Sequence, residues 1–140
     1  MKYRIELVEG NDKEFNFPEL GCSVELEEGQ DVGDATLKDL ASHAFGEALN
    51  GIRRSKKKIP MPDGTGNASV PLSIQIKIHL WNWMVENRYR ATDIAERLNI
   101  SRQQTARIMN FRHPTDIKTL IAICDALGAE IEVSVKTKEQ

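Results

Sequence analysis

The segment Thr92–Ile108 constrains this chain more than any other stretch, because one packing of two short helices accounts for nearly every position in it. Thr92 is suited to cap a helix whose inner face is Ile94, Ala95 and Leu98. Ala95 is small, as a close crossing of two helices requires. Asn99-Ile100-Ser101 makes a three-residue turn in which Ile100 plugs the space between the helices. Ser101 caps the next helix, Arg102–Asn110, from which Thr105 and Ile108 face inward. The spacing is that of a helix-turn-helix. It leaves Arg102, Gln103, Ala106 and Arg107 pointing outward near the start of the second helix. Arg pairs with guanine and Gln with adenine through two hydrogen bonds in the major groove of double-stranded DNA, so these side chains suit base reading. Thr92, Ser101, Gln104 and Arg112 fall at the rims, where donors hold phosphates and set register. A plain helical bundle has no use for Arg-Gln-Gln at that spot.

Helical periodicity continues on both sides. Ile74, Ile78, Trp81, Trp83, Met84 and Val85 mark a helix from about Ser73 to Asn87, with one tryptophan expected in the core and the other at a partner or interdomain contact. Thr115 and Asp116 cap a further helix with inner residues Ile117, Leu120, Ile121, Ile123, Cys124 and Leu127, and Gly128 stands at its left-handed exit. In Glu130–Val135, Ile131, Val133 and Val135 alternate with polar residues, which predicts a short strand without a local partner. An unpaired edge needs covering, so these three residues are expected to pair with a distant part of the chain or, as the favoured reading, across a homodimer or higher oligomer.

The first half has the other periodicity. Lys2–Val8 alternates, with Tyr3, Ile5 and Leu7 on one side; turn residues Gly10-Asn11-Asp12 lead to a strand at Glu14–Phe17, and a third runs Cys22–Leu26. Gly29 to Gly33 reads as a loop. A helix capped by Asp34 or Thr36 carries Leu37, Leu40, Ala41, Ala44, Phe45, Ala48, Leu49 and Ile52 on one stripe, with Asn50-Gly51 marking an end near Ile52. A loop through Pro60 and Pro62 precedes a fourth strand at Ala68–Leu72. The expected fold class is α+β: a βββαβ module over residues 1–70, then an all-helical helix-turn-helix module over 71–140 that ends in a short strand.

Charge is divided along the chain as well. Residues 1–52 hold 4 Lys and Arg against 12 Asp and Glu, whereas residues 53–140 hold 15 against 9. The basic half suits a phosphate backbone; the acidic half repels DNA and suits a basic partner. The run Arg53–Lys58 suits nucleic acid or a solvated helix end, and its lack of interleaved aromatics favours the latter. Cys22 and Cys124 show no disulfide framework and no metal-ligand spacing, so two free thiols in a reducing cytoplasm are expected. The start MKYRIELVEG carries charges inside its apolar stretch and is no signal peptide, and no apolar run has the length of a membrane span. His43, His79 and His113 stand without a nucleophile at useful spacing. Asp31, Asp34 and Asp39 fit a loop, a cap and an exposed helix site better than a metal site. No phosphate-cradling glycine loop is present. The expectation is a non-enzymatic protein without cofactor or metal.

The stretch Phe15-Asn16-Phe17-Pro18-Glu19-Leu20-Gly21-Cys22-Ser23-Val24, the acidic loop after it, the helix through Glu47-Ala48-Leu49, and Ile59-Pro60-Met61-Pro62 together resemble the HicB-type antitoxins of type II toxin-antitoxin systems, in their helix-turn-helix (Cro/C1-type) subtype. A proline usual between Leu20 and Gly21 is missing, and Glu27–Asp31 is more acidic than the pattern. The resemblance implies a partial ribonuclease-H-like N-terminal domain that neutralises a HicA-type mRNA-cleaving ribonuclease toxin. It also implies repression of the protein's own operon by an oligomer. The acidic residues Glu25, Glu27, Glu28 and Asp31 are then the candidate toxin-binding set. The competing expectation is a stand-alone or phage-type repressor whose N-terminal module oligomerises or senses a ligand.

Overall fold

The computed structural model describes residues 1–10, 14–26 and 37–137. The first expected strand is broken in two. β1 (Lys2–Tyr3) and β2 (Glu6–Leu7) belong to different ladders, and β2 continues into the antiparallel meander with β3 (Glu14–Phe17) and β4 (Cys22–Glu25). Val8 N–H closes the hairpin on the Glu14 carbonyl at 2.9 Å, and Phe15 sits opposite both Leu7 and Val24. The break sits at Arg4-Ile5, whose backbone N–H groups are taken by the Glu19 carboxylate (2.6 Å) and the Asn67 side-chain oxygen (3.0 Å). Between β3 and β4, Pro18–Leu20 forms one 3-10 turn that exits through Gly21 at φ 68°.

α1 (Leu37–Arg54) lies over β3 and β4. Its stripe Ala44, Phe45, Ala48 and Leu49 is buried, and Phe45 packs edge-tilted against Tyr3 and Phe17 with ring centroids 5.1 and 5.8 Å away. The expected caps Asp34 and Thr36, and the Gly29–Gly33 loop, lie outside the described residues. Asn50-Gly51 does not end the helix. The Asn50 amide is spent on a tertiary contact rather than on a cap, and the left-handed residue at the exit is Lys56 (φ 58°).

β5 (Ala68–Ser69) returns antiparallel to β1, shorter than expected because Leu72 already belongs to α2 (Leu72–Glu86). The segment between α1 and β5 is held along its length. Trp81 Nε1–H donates to the Lys57 carbonyl (2.8 Å), Asn82 bonds both the N–H and the carbonyl of Ile59 (2.6 and 2.9 Å), and Tyr3 O–H donates to the Pro60 carbonyl (2.7 Å). Trp81 is the core tryptophan, whereas Trp83 stacks on Tyr89 at 5.3 Å. α3 (Ala91–Leu98), α4 (Arg102–Met109) and α5 (Ile117–Leu127) complete the helical part. Asp116 caps α5 by accepting from Thr119 N–H at 2.8 Å, and Gly128 exits it at φ 84°.

Two expectations need correction. Thr92 does not cap α3. That helix begins at Ala91 because the Asp93 carboxylate reaches back to the Arg90 N–H at 2.7 Å, leaving Thr92 exposed in the first turn. The expected strand Glu130–Val135 does not form in the single chain: residues 129–137 have no regular structure, since a strand exists only within a ladder and none is offered here. Ile131 is half-buried against the core, while Val133 and Val135 are 71% and 96% exposed.

Candidate nucleic-acid interface

The reading head is set by its turn. Asn99 takes the left-handed conformation (φ 52°, ψ 48°) that Asn tolerates better than other non-glycine residues, and Ile100 N–H bonds back to the Ala95 carbonyl at 3.0 Å. Ile100 is half-buried between the helices, and Ile94 is fully buried beneath them. Ser101 and Gln104 then form a reciprocal capping box. Gln104 N–H donates to Ser101 Oγ (3.0 Å), and Ser101 N–H donates to Gln104 Oε1 (3.1 Å). Thr105 is buried with its hydroxyl on the Ser101 carbonyl, and Met109 is buried one turn later. Ile108 is half-buried beside it.

Everything else on α4 is outside. Arg102, Gln103, Ala106 and Arg107 are all exposed, as the spacing required. Arg102 and Gln103 stand on the first turn, where the helix approaches a groove end-on. Ser101 and Thr92 flank them and are exposed. Gln104 is exposed too, but its side-chain oxygen is committed to the cap, which leaves its N–H₂ for an outside acceptor.

Arg112 is exposed and turned toward α1. Its guanidinium lies on α1, 3.4 Å from the Glu47 carboxylate and 3.1 Å from His43 Nδ1. A guanidinium only donates, so Nδ1 accepts and the imidazole proton sits on Nε2, which is buried and has no partner among the described residues. Burial first, and Arg112 second, hold the His43 pKa below its usual value against the pull of Glu47.

One cluster escaped sequence reasoning. Arg97, on α3, donates to the Ala126 carbonyl at the end of α5 (2.9 Å) and lies 5.2 Å over the Tyr89 ring, which itself stacks on Trp83. Arg97 therefore braces α3 against the end of α5. No local pattern announces this, because the pairing joins residues from three elements. Of the candidate toxin contacts, Glu25 is exposed at the end of β4, and Glu27, Glu28 and Asp31 lie outside the described residues. Among the described residues no three His, Cys, Asp or Glu side chains gather as a metal site. No helix there is long and apolar enough to cross a membrane.

Comparison with known proteins agrees with this geometry. Residues 79–132, from the middle of α2 past α5, match the model of the Cro/C1-type HTH DNA-binding domain. Antitoxin HicB 2 of Photorhabdus laumondii subsp. laumondii is 31% identical over 107 residues, covering 75% of this chain and 76% of the relative. Antitoxin HicB 1 of the same organism is 27% identical over 100 residues, and the match spans 64% of that relative's length. Antitoxin HicB of Escherichia coli (strain K12) is 23% identical over 137 residues, 95% of this chain and 98% of the relative, so the similarity takes in the meander as well as the head. These are names of regulatory proteins and not of catalysts. The chain belongs to the HicB antitoxin family and carries a Cro/C1-type helix-turn-helix domain.

Proposed function

We propose that this protein neutralises a HicA-type mRNA-cleaving ribonuclease toxin through residues 1–70, and represses its own operon through residues 71–140. The observation that carries the proposal is the α4 face: a helix with a capped first turn that exposes Arg102, Gln103 and, one turn on, Arg107. Base edges would be read by those three, with Thr92, Ser101 and Gln104 on phosphates. The meander, α1 and β5 would form the partial ribonuclease-H-like domain. Its acid excess, 12 Asp and Glu against 4 Lys and Arg in residues 1–52, supports a basic toxin held near Glu25, Glu27, Glu28 and Asp31. Ile131, Val133 and Val135 would pair two copies, so that two α4 helices meet half-sites about one DNA turn apart. The setting would be cytoplasmic.

The test is co-expression with the adjacent reading frame. A small basic protein co-purifying with this chain, and losing its growth toxicity, is the expected result; a lone gene without such a neighbour would leave a stand-alone repressor in its place. For the other half, Arg102→Ala and Gln103→Ala should each weaken binding to DNA from upstream of the gene by about 1–3 kcal/mol per lost base contact. Unchanged binding in both variants would refute the reading face.

A further inference from the structure

Among the described residues only three polar or charged side chains are fully buried: Asn50, Lys77 and Thr105, at 0%, 1% and 2% exposure. Thr105 belongs to the α4 cap. The other two come from different helices and converge on one short turn, Asn110–His113, which leaves the C-terminal end of α4. Asn50, on α1, accepts from Phe111 N–H at 2.9 Å and donates through Nδ2 to Asn110 Oδ1 at 2.8 Å. Asn110 Oδ1 also accepts from Arg112 N–H at 2.9 Å. Lys77, on α2, donates from Nζ to the carbonyls of Asn110 (3.1 Å) and His113 (2.7 Å). The approach is close: a Cβ on Gly46 of α1 would stand 3.0 Å from Arg112 Cγ and 3.5 Å from the Phe111 carbonyl oxygen. Outside this buried set, Glu47 and His43 of α1 hold the Arg112 guanidinium.

The arrangement has a physical consequence. A buried amide or ammonium without partners is costly, so these groups hold their geometry while the fold is intact. The turn that sets the exit of α4 is thus fastened by hydrogen bonds to a helix of the N-terminal module. Sixty residues of chain separate Asn50 from Asn110, so no local preference could place them together.

We propose that Asn50 is a positioning residue for the recognition helix: through the Asn110–His113 turn it ties the orientation of α4 to α1, so that whatever engages the N-terminal module acts on the DNA-reading head along this path. This rests on α4 being the reading helix. Any ligand that stabilises or opens this turn from one module changes binding at the other by the same factor.

Asn50→Leu and Asn110→Ala test it, singly and together, on the full chain at a temperature well below unfolding. The duplex is the DNA directly upstream of the gene. Each single variant should lower affinity by about 3- to 30-fold, and the double variant no further than the weaker single. Amide exchange should rise selectively at Phe111 while α5 stays protected. A merely structural Asn50 would lower the melting temperature and leave the affinity of the folded protein unchanged, which overturns the proposal; so would losses that add independently. Should Asn50→Leu fail to fold, Asn110→Ala, at a half-buried position, removes the acceptor of Asn50 Nδ2 and carries the same expectation. Wild-type binding that ignores Arg102→Ala would instead overturn the reading face. Binding lost in Arg102→Ala but kept in Asn50→Leu would overturn the latch alone.

Discussion

Lys77 shows how far a single residue can depart from its type. In the middle of α2 it stands where a lysine is normally solvated, yet it is buried with its ammonium on two backbone carbonyls. Burial, with Arg53 adding repulsion, pulls its pKa down to about 8. The sign follows from linkage. Between about pH 8 and the ordinary lysine value the unfolded chain binds more protons than the folded one, so stability from this group rises with pH across that window. Lys77→Met removes the titration. The melting temperature of the wild type should gain on that of Lys77→Met from pH 8 to pH 10, in a buffer series with matched ionic strength; a constant difference would show that burial does not lower the lysine pKa. Tyr3 buries an aromatic ring with a polar end: its phenol O–H donates to the Pro60 carbonyl and its pKa is pushed up to about 12, mainly by burial. Neither environment is visible in the local pattern. Tyr3 reads as an inward strand residue and is one, but the partner of its hydroxyl lies 57 residues away.

At the scale of elements, the helices α3, α4 and α5 follow from their own residues. Ser101 with Gln104 three positions later is a capping box by spacing, and both its hydrogen bonds are present. Ser101→Ala should cost about 1 kcal/mol, within a range of about 0.5–2, measured by chemical denaturation. A loss confined to α4 should also blunt DNA binding, because the box orients Arg102 and Gln103. Where expectation failed, a competing partner, local or distant, had prevailed over the signal. Asn50-Gly51 carries the marks of a helix stop, but Asn50 is engaged by Phe111 and Asn110 and α1 runs on to Arg54. Thr92 has the chemistry of a cap, but Asp93 reaches the backbone one residue earlier. Lys2–Val8 alternates as one strand, but β5 claims its first part and β3 its second, and position 66 can lie against the Tyr3 carbonyl only as glycine, since a Cβ there would stand 2.4 Å from the carbonyl carbon.

At the scale of the whole molecule, the two halves have opposite charge and share a continuous core. The segment after α5 lies beside α2, where Leu72, Ile76, Trp83 and residues 129–134 line a groove of about 900 Å³. Val133 and Val135 project from it without cover, a costly exposure for a β-alternating run. Deleting residues 130–140 should therefore convert the protein to monomers by light scattering and weaken operator binding with it. An oligomer of full size after the deletion would show that another surface pairs the copies.

What the residues determined alone was whatever depends on near neighbours: the two periodicities, the turn at Asn99–Ser101, the cap on α4, and hence which side chains of α4 stay outside. These are set by backbone geometry within a few positions, and the donor-rich face of Arg102, Gln103 and Arg107 follows directly. Tertiary structure decided what needs two distant stretches at once. It placed Arg112 against Glu47 and His43, gave Arg97 to Ala126 and Tyr89, broke the first strand, and buried Asn50 and Lys77 under the exit of α4. The physical reason is that a polar group taken out of water must find its partner wherever the fold supplies one, and sequence spacing carries no record of that distance.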